Sequence, residues 1–116
     1  MIVAKKISVV FFCADNGTEP VRNWLLELSK EDRVRIGEDI RVVEFGWPIG
    51  MPVCRPLGDG LYEVRTNLKD RIARVLFAID RRDMVLVHGF IKKTRGTPMD
   101  DLDLARKRWK DFKRRG

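Results

Sequence analysis

GLYEVRTNLKDRIARVLFAIDRRDMVLVHGFIKKTRGTP, residues 60–98 of a 116-residue chain, holds three strand-like runs in succession. Each run alternates or is densely apolar, rich in Val, Ile, Leu and Phe, and is bounded by turn-forming residues, the pattern of an antiparallel meander. Strands are expected over Leu61–Asn67, Arg71–Asp80 and Met84–Lys93. A period of two puts Leu61, Glu63 and Arg65 on one side of the first strand, and Ile72, Arg74, Leu76 and Ala78 on one side of the second. A hairpin through Leu68, Lys69 and Asp70 would bring Arg65 and Arg74 onto a shared face. With Lys92 and Lys93 ending the third run, a short sheet carries four cations, and such a surface asks for a phosphate.

Upstream, Lys6–Ala14 reads as a strand, since Ile7, Val9, Val10, Phe11 and Phe12 are β-branched or aromatic and Asp15, Asn16 and Gly17 then break it. Thr18 is the expected N-cap of a first helix, with Pro20 tolerated in its first turn and Val21, Trp24, Leu25 and Leu28 forming an apolar stripe. Ser29 is placed to cap a second helix, with Asp32 three residues on, and Ile36, Ile40 and Val43 continue its apolar face until Gly46 and Pro48. The two helices form a hairpin. Residues 47–60 are rich in Pro and Gly and read as a loop with a short strand at Arg55, Pro56 and Leu57. Downstream, Thr97 and Pro98 break the chain. Asp100, Asp101 and Asp103 then open a final helix whose last turns, Arg106 to Arg115, are heavily cationic. The element order describes one small α+β domain over residues 1–116.

The net charge of +7 and the pI near 9.8 favour an anionic partner, most simply nucleic acid. No apolar run approaches the roughly 18 residues a spanning helix needs. Cations interrupt the apolar stretch of MIVAKKISVVFFCA, so a signal peptide is not expected, and the protein reads as cytoplasmic with no membrane partner. Cys13, Cys54 and His88 have no companions at metal-ligand spacing, so both thiols are expected to be buried and reduced, and any chemistry is expected to run without metal or cofactor. His88 lies in the most apolar run and reads as a hydrogen-bonded structural histidine, Tyr62 as a core residue on the side opposite Arg65, and Trp24, Trp47 and Trp109 as packing residues. The plainer reading of Arg65 and Arg74 is that they extend from a solvated sheet face.

The element order, together with GLYEVR, RIARVLFAID and HGFIKKTRGTP, resembles HigB-like toxins, the phage-derived HigB branch of the RelE/ParE superfamily. The resemblance spans nearly the whole chain and is strongest from Gly60 to Lys110. It implies a twisted antiparallel sheet with a basic cleft and helices packed on the opposite face. It also implies a ribosome-dependent mRNA endonuclease silenced by an antitoxin, in HigB-like pairs one of helix-turn-helix type. By resemblance Arg74 corresponds to a catalytic arginine, Arg65 to a recurrent arginine of the preceding strand, and Lys92 or Lys93 to the cations of the next. Leu61 and Glu63 stand where some relatives place lysines, and no Tyr or His follows the last strand, so the general acid and base stay open.

Metal-free cleavage of RNA needs the 2′-hydroxyl aligned with the phosphorus, the added negative charge stabilised and two protons moved. Arginines suit the second task, because they stay protonated and clamp two phosphate oxygens. Lys92 or Lys93, crowded by neighbouring cations, is the candidate for proton transfer. Arg106, Lys107, Lys110 and Arg114 on the last helix are expected to hold ribosomal RNA phosphates, with Arg71 as a further contact at the cleft edge. Two alternatives remain open: a ParE-type gyrase inhibitor on the same fold, and a basic nucleic-acid-binding phage accessory domain.

Overall fold

Alternation in the three central runs, flanked by two amphipathic helical segments and a third, organises the molecule. In the computed structural model, which describes residues 4–92 and 97–115, the order is β1 (Ser8–Phe11), α1 (Pro20–Glu27), α2 (Lys30–Gly46), β2 (Cys54–Gly58), β3 (Leu61–Asn67), β4 (Ile72–Asp80), β5 (Asp83–Lys92) and α3 (Met99–Arg115). The strands form one sheet in the order β1-β5-β4-β3-β2. Strands β2 to β5 are antiparallel, whereas β1 joins β5 in parallel, so the sheet is mostly rather than wholly antiparallel. The hairpin turns where expected, the Leu68 N–H donating to the Arg71 carbonyl at 2.9 Å.

Both sheet edges are blunted. At β1 the Val9 N–H donates to Glu44 Oε2 at 2.9 Å, and the Glu44 carbonyl accepts from Lys6 and Ile7, so α2 covers donors that would otherwise template another strand. At β2 the Cys54 N–H donates to the Gly50 carbonyl at 3.3 Å and Pro56 has no N–H to offer. The first strand is shorter than Lys6–Ala14. Its ladder ends at Phe11, and Cys13, beyond it, is exposed, which corrects the expectation of two buried thiols; only Cys54 is buried.

Thr18 does not cap α1. The N-cap is Glu19, which makes no side-chain cap bond, because the Thr18 N–H is drawn back to Asn16 Oδ1 at 3.0 Å in a local turn. Ser29 does cap α2, its Oγ accepting from the Asp32 N–H at 3.1 Å.

Val21, Ile36, Ile40 and Val43 of the helical hairpin pack on Val64, Ala73, Val75, Phe77, Met84 and Leu86, which form one sheet face. Full burial of each such Val, Ile, Leu, Phe or Met side chain contributes about 1.5–3 kcal/mol. Trp24 lies against Gly89 so closely that a Cβ there would stand 2.4 Å from Trp24 Cε3. Trp47 meets Tyr62 edge-on at 4.9 Å on the same face, so Tyr62 belongs to the core as its alternation implies.

The other face holds Leu61, Leu76, Ala78, Val85, Val87 and Phe90, packed against Ala105 and Trp109 of α3. The expectation that helices avoid the arginine-bearing face therefore holds for α1 and α2 and fails for α3. Leu102, Ala105, Trp109 and Phe112 make an apolar stripe on α3 that must be buried, and the end of the sheet away from Arg65 offers the matching apolar surface. A bulge at Val87, between the pairs Leu76↔His88 and Phe77↔Leu86, turns both Val87 and His88 toward this helix. Among the described residues no helix is long and apolar enough to cross a membrane.

Candidate active site

On the α3 side of the sheet the cross-strand register lays side chains in rows, and the chemistry changes from row to row. Leu61 and Ala78 are opposite one another beneath α3. The next row is Arg55, Glu63, Leu76 and His88; the next is Arg65, Arg74 and Phe90; the last is Asn67, Ile72 and Lys92. Apolar packing thus gives way to ions as the sheet emerges from under α3.

Arg65 and Arg74 share a face, as expected of a hairpin there, and the register makes them direct partners. Their surroundings differ sharply. Arg65 is exposed, whereas Arg74 is 1% exposed and its Nη1 donates to Glu63 Oε1 at 2.6 Å, with Glu63 equally buried. The other carboxylate oxygen, Glu63 Oε2, accepts from Thr97 Oγ1 at 2.5 Å. Arg55 Nη2 stands 3.7 Å from that same oxygen and 3.4 Å from Thr97 Oγ1. A buried carboxylate with a guanidinium bonded to one oxygen and a hydroxyl to the other has its charge met and both oxygens hydrogen-bonded, the condition under which burial of an ion is tolerable. Burial and, secondarily, the Glu63 charge push the neighbouring Cys54 thiol up to about 11, so Cys54 stays protonated and is no nucleophile.

Lys92 is half-buried at the end of β5, diagonal to Arg74 on the same face. Lys93 lies outside the described residues. The face therefore carries Arg55 and Arg74 on the Glu63 carboxylate, Arg65 in the next row and Lys92 in the row beyond, a positive surface able to bind and stabilise a phosphodiester. Sequence reasoning found Arg65, Arg74 and Lys92 and missed Arg55, Glu63 and Thr97. Alternation already put Glu63 beside Arg65, but only the β2–β3 register shows that Arg55 joins them.

His88 behaves as a structural residue. Its Nε2 is 2.7 Å from Asp101 Oδ1 and its Nδ1 is 3.3 Å from Arg108 Nη1, which also donates to the Val87 carbonyl at 2.9 Å. Because a guanidinium only donates, Nδ1 accepts and Nε2 carries the hydrogen given to Asp101, a tautomer assigned from its partners. Burial lowers the Arg108 pKa, and this cluster pins β5 to the first turns of α3.

Arg71 is bonded to Asp32 and lies 3.1 Å from Asp70, so it ties the β3–β4 turn to α2. On α3, Arg106 pairs with Asp59 at 3.0 Å and Asp103 at 3.3 Å, and Arg114 with Asp111 at 3.1 Å. Lys107 and Lys110 are exposed. They line, with Asp59, Asp103, Arg106, Trp109 and Lys113, a groove of about 720 Å³. Among the described residues no three His, Cys, Asp or Glu side chains are grouped to hold a metal ion.

The profile of phage-derived Gp49-like proteins (DUF891) matches residues 23–110, from α1 into α3. The chain belongs to the Gp49-like family. Gp49-like proteins are RelE/HigB-like toxins, and the matched span contains every residue of the ionic rows together with Thr97, Asp101 and Arg108. A search of curated proteins finds no match.

Proposed function

We propose that this Gp49-like protein is the toxin of a type II toxin–antitoxin pair, of the HigB-like kind, and that it cuts mRNA on the ribosome without a metal. The observation that carries this reading is the cluster of Arg55, Arg65, Arg74 and Lys92 on the part of the sheet that emerges from under α3. A phosphodiester laid there meets Arg65 and Lys92 directly, while Arg74 acts from beneath by holding Glu63 in place. Stabilisation of the charge that develops on the phosphorane oxygens is the task these groups perform. Lys92 and Lys93, as the groups able to release a proton, complete the catalytic set. Alignment of the 2′-hydroxyl comes from the ribosome, so free RNA is a poor substrate. Lys107, Lys110, Arg106 and Arg114 hold ribosomal RNA phosphates, with Arg71 at the turn as a peripheral contact. A helix-turn-helix antitoxin is the cognate partner, acting in the cytoplasm.

The test is primer extension on a reporter mRNA in a purified translation mixture, with and without ribosomes. Wild-type protein is expected to cut only with ribosomes, and Arg65→Ala or Lys92→Ala to cut about 100-fold more slowly while keeping the wild-type fold. Arg74→Ala is the weaker probe, because loss of a buried ion pair unsettles the fold as well as the chemistry. Intact mRNA in every lane would overturn the nuclease reading and turn attention to gyrase or to simple nucleic-acid binding.

A further inference from the structure

Two guanidiniums share one buried carboxylate on the cation face, and the carboxylate needs only one. Glu63 is already met by Arg74 at 2.6 Å and by the Thr97 hydroxyl at 2.5 Å. Arg55 reaches the same group at 3.7 Å, and Thr97 at 3.4 Å, both through Nη2 alone. A guanidinium carries five N–H donors on three nitrogens, so most of Arg55's donors remain for another acceptor. Its side chain is 39% exposed, against 1% for Arg74. Arg55 also stands opposite Glu63 in the register, two residues along from the position facing Arg65, so both point to the same side of the sheet.

We propose that Arg55 is an RNA-binding residue of this site, its fork turned to a substrate phosphate, and that Glu63 is the positioning residue that holds it there. This rests on the nuclease reading above and goes beyond it by naming which arginine besides Arg65 meets the RNA. The buried pair beneath supplies a fixed anchor, which removes part of the conformational freedom a long side chain loses on binding. Arg74, enclosed and neutralised by Glu63, is the member of the trio that phosphate does not reach.

The experiment is steady-state cleavage of ribosome-bound mRNA as a function of salt, with thermal melting of each variant. Arg55→Ala is expected to melt as wild type and to raise KM about tenfold with kcat little changed. It should also flatten the dependence of log KM on log salt by about 0.7, the release of one phosphate contact on a single strand. Arg55→Lys should restore the salt slope and leave KM about threefold high, since the charge returns and the bidentate fork does not. Glu63→Gln, if folded, should raise KM in the presence of Arg55 and add little in its absence. A folded Arg55→Ala with wild-type KM and salt slope overturns the proposal and reduces Arg55 to a surface ion pair. If Arg55→Ala melts below the assay temperature, Arg55→Lys decides, an unchanged KM counting against the proposal. Wild-type protein that fails to cut with ribosomes defeats the nuclease reading itself, and this assignment with it.

Discussion

The two faces of the sheet are made by the same strands and end as different materials. Beneath α1 and α2, Val64, Ala73, Val75, Phe77, Met84 and Leu86 form a closed apolar layer. Beneath α3, only part of the surface is closed, and the remainder carries Glu63, Arg65, Arg74 and Lys92. Arg74 and Val75, neighbours in β4, are equally buried at 1%, yet one is held by ions and the other by packing. An apolar layer depends on volume and shape, so its failures are steric; an ionic layer depends on complete partnering, so its failures are electrostatic. The second kind of burial costs stability and is placed where a phosphate could be bound.

The largest effect should come from breaking the ionic layer. Arg74→Ala leaves the Glu63 carboxylate buried without its enclosed cationic partner and is expected to lose about 3–5 kcal/mol in urea unfolding. The double change Glu63→Leu with Arg74→Met should recover most of that loss while abolishing cleavage, separating what the pair does for the fold from what it does for the reaction. A single-variant loss below about 1 kcal/mol would show that the pair is no keystone of this face.

Next in size is the apolar layer. Gly89→Ala forces a methyl into Trp24, where the clash of 2.4 Å leaves no room, and should cost about 1–3 kcal/mol in thermal or chemical unfolding. Cleavage per folded molecule should be unchanged, because the disturbance lies on the face opposite the cations. A loss of cleavage greater than the loss of folded protein would mean that the two faces are mechanically coupled.

The smallest effect concerns the boundary between them. The Cys54 thiol, raised from 9.0 to about 11, keeps its proton in the folded state longer than in the unfolded chain. Its contribution is therefore fully present below about pH 9 and is lost as pH rises toward 11. The difference in unfolding free energy between wild type and Cys54→Ala should narrow over that window, and a constant difference would exclude the thiol as its source.

Much of this was readable in advance because it is local. The strand limits of β3, the turn at Leu68 to Asp70, the Ser29 cap and the cation-ended α3 each follow from residues within a few positions of one another. The Thr18 cap failed for a reason of the same scale, since Asn16 competes for the Thr18 N–H. Cys13 escaped burial because strand pairing, which depends on β5, ends before it.

The amino-acid sequence by itself determined the element order and the two amphipathic helices of the hairpin, because periodicity and turn chemistry act over short separations, whereas the shared side of Arg65 and Arg74 waited on the β3–β4 register. Only the tertiary structure decided that α3 lies on the arginine side, that β1 enters in parallel and that Glu63 gathers Arg74, Arg55 and Thr97. Those outcomes join residues 8 to 75 positions apart, and their register is set by which apolar surfaces can be closed together.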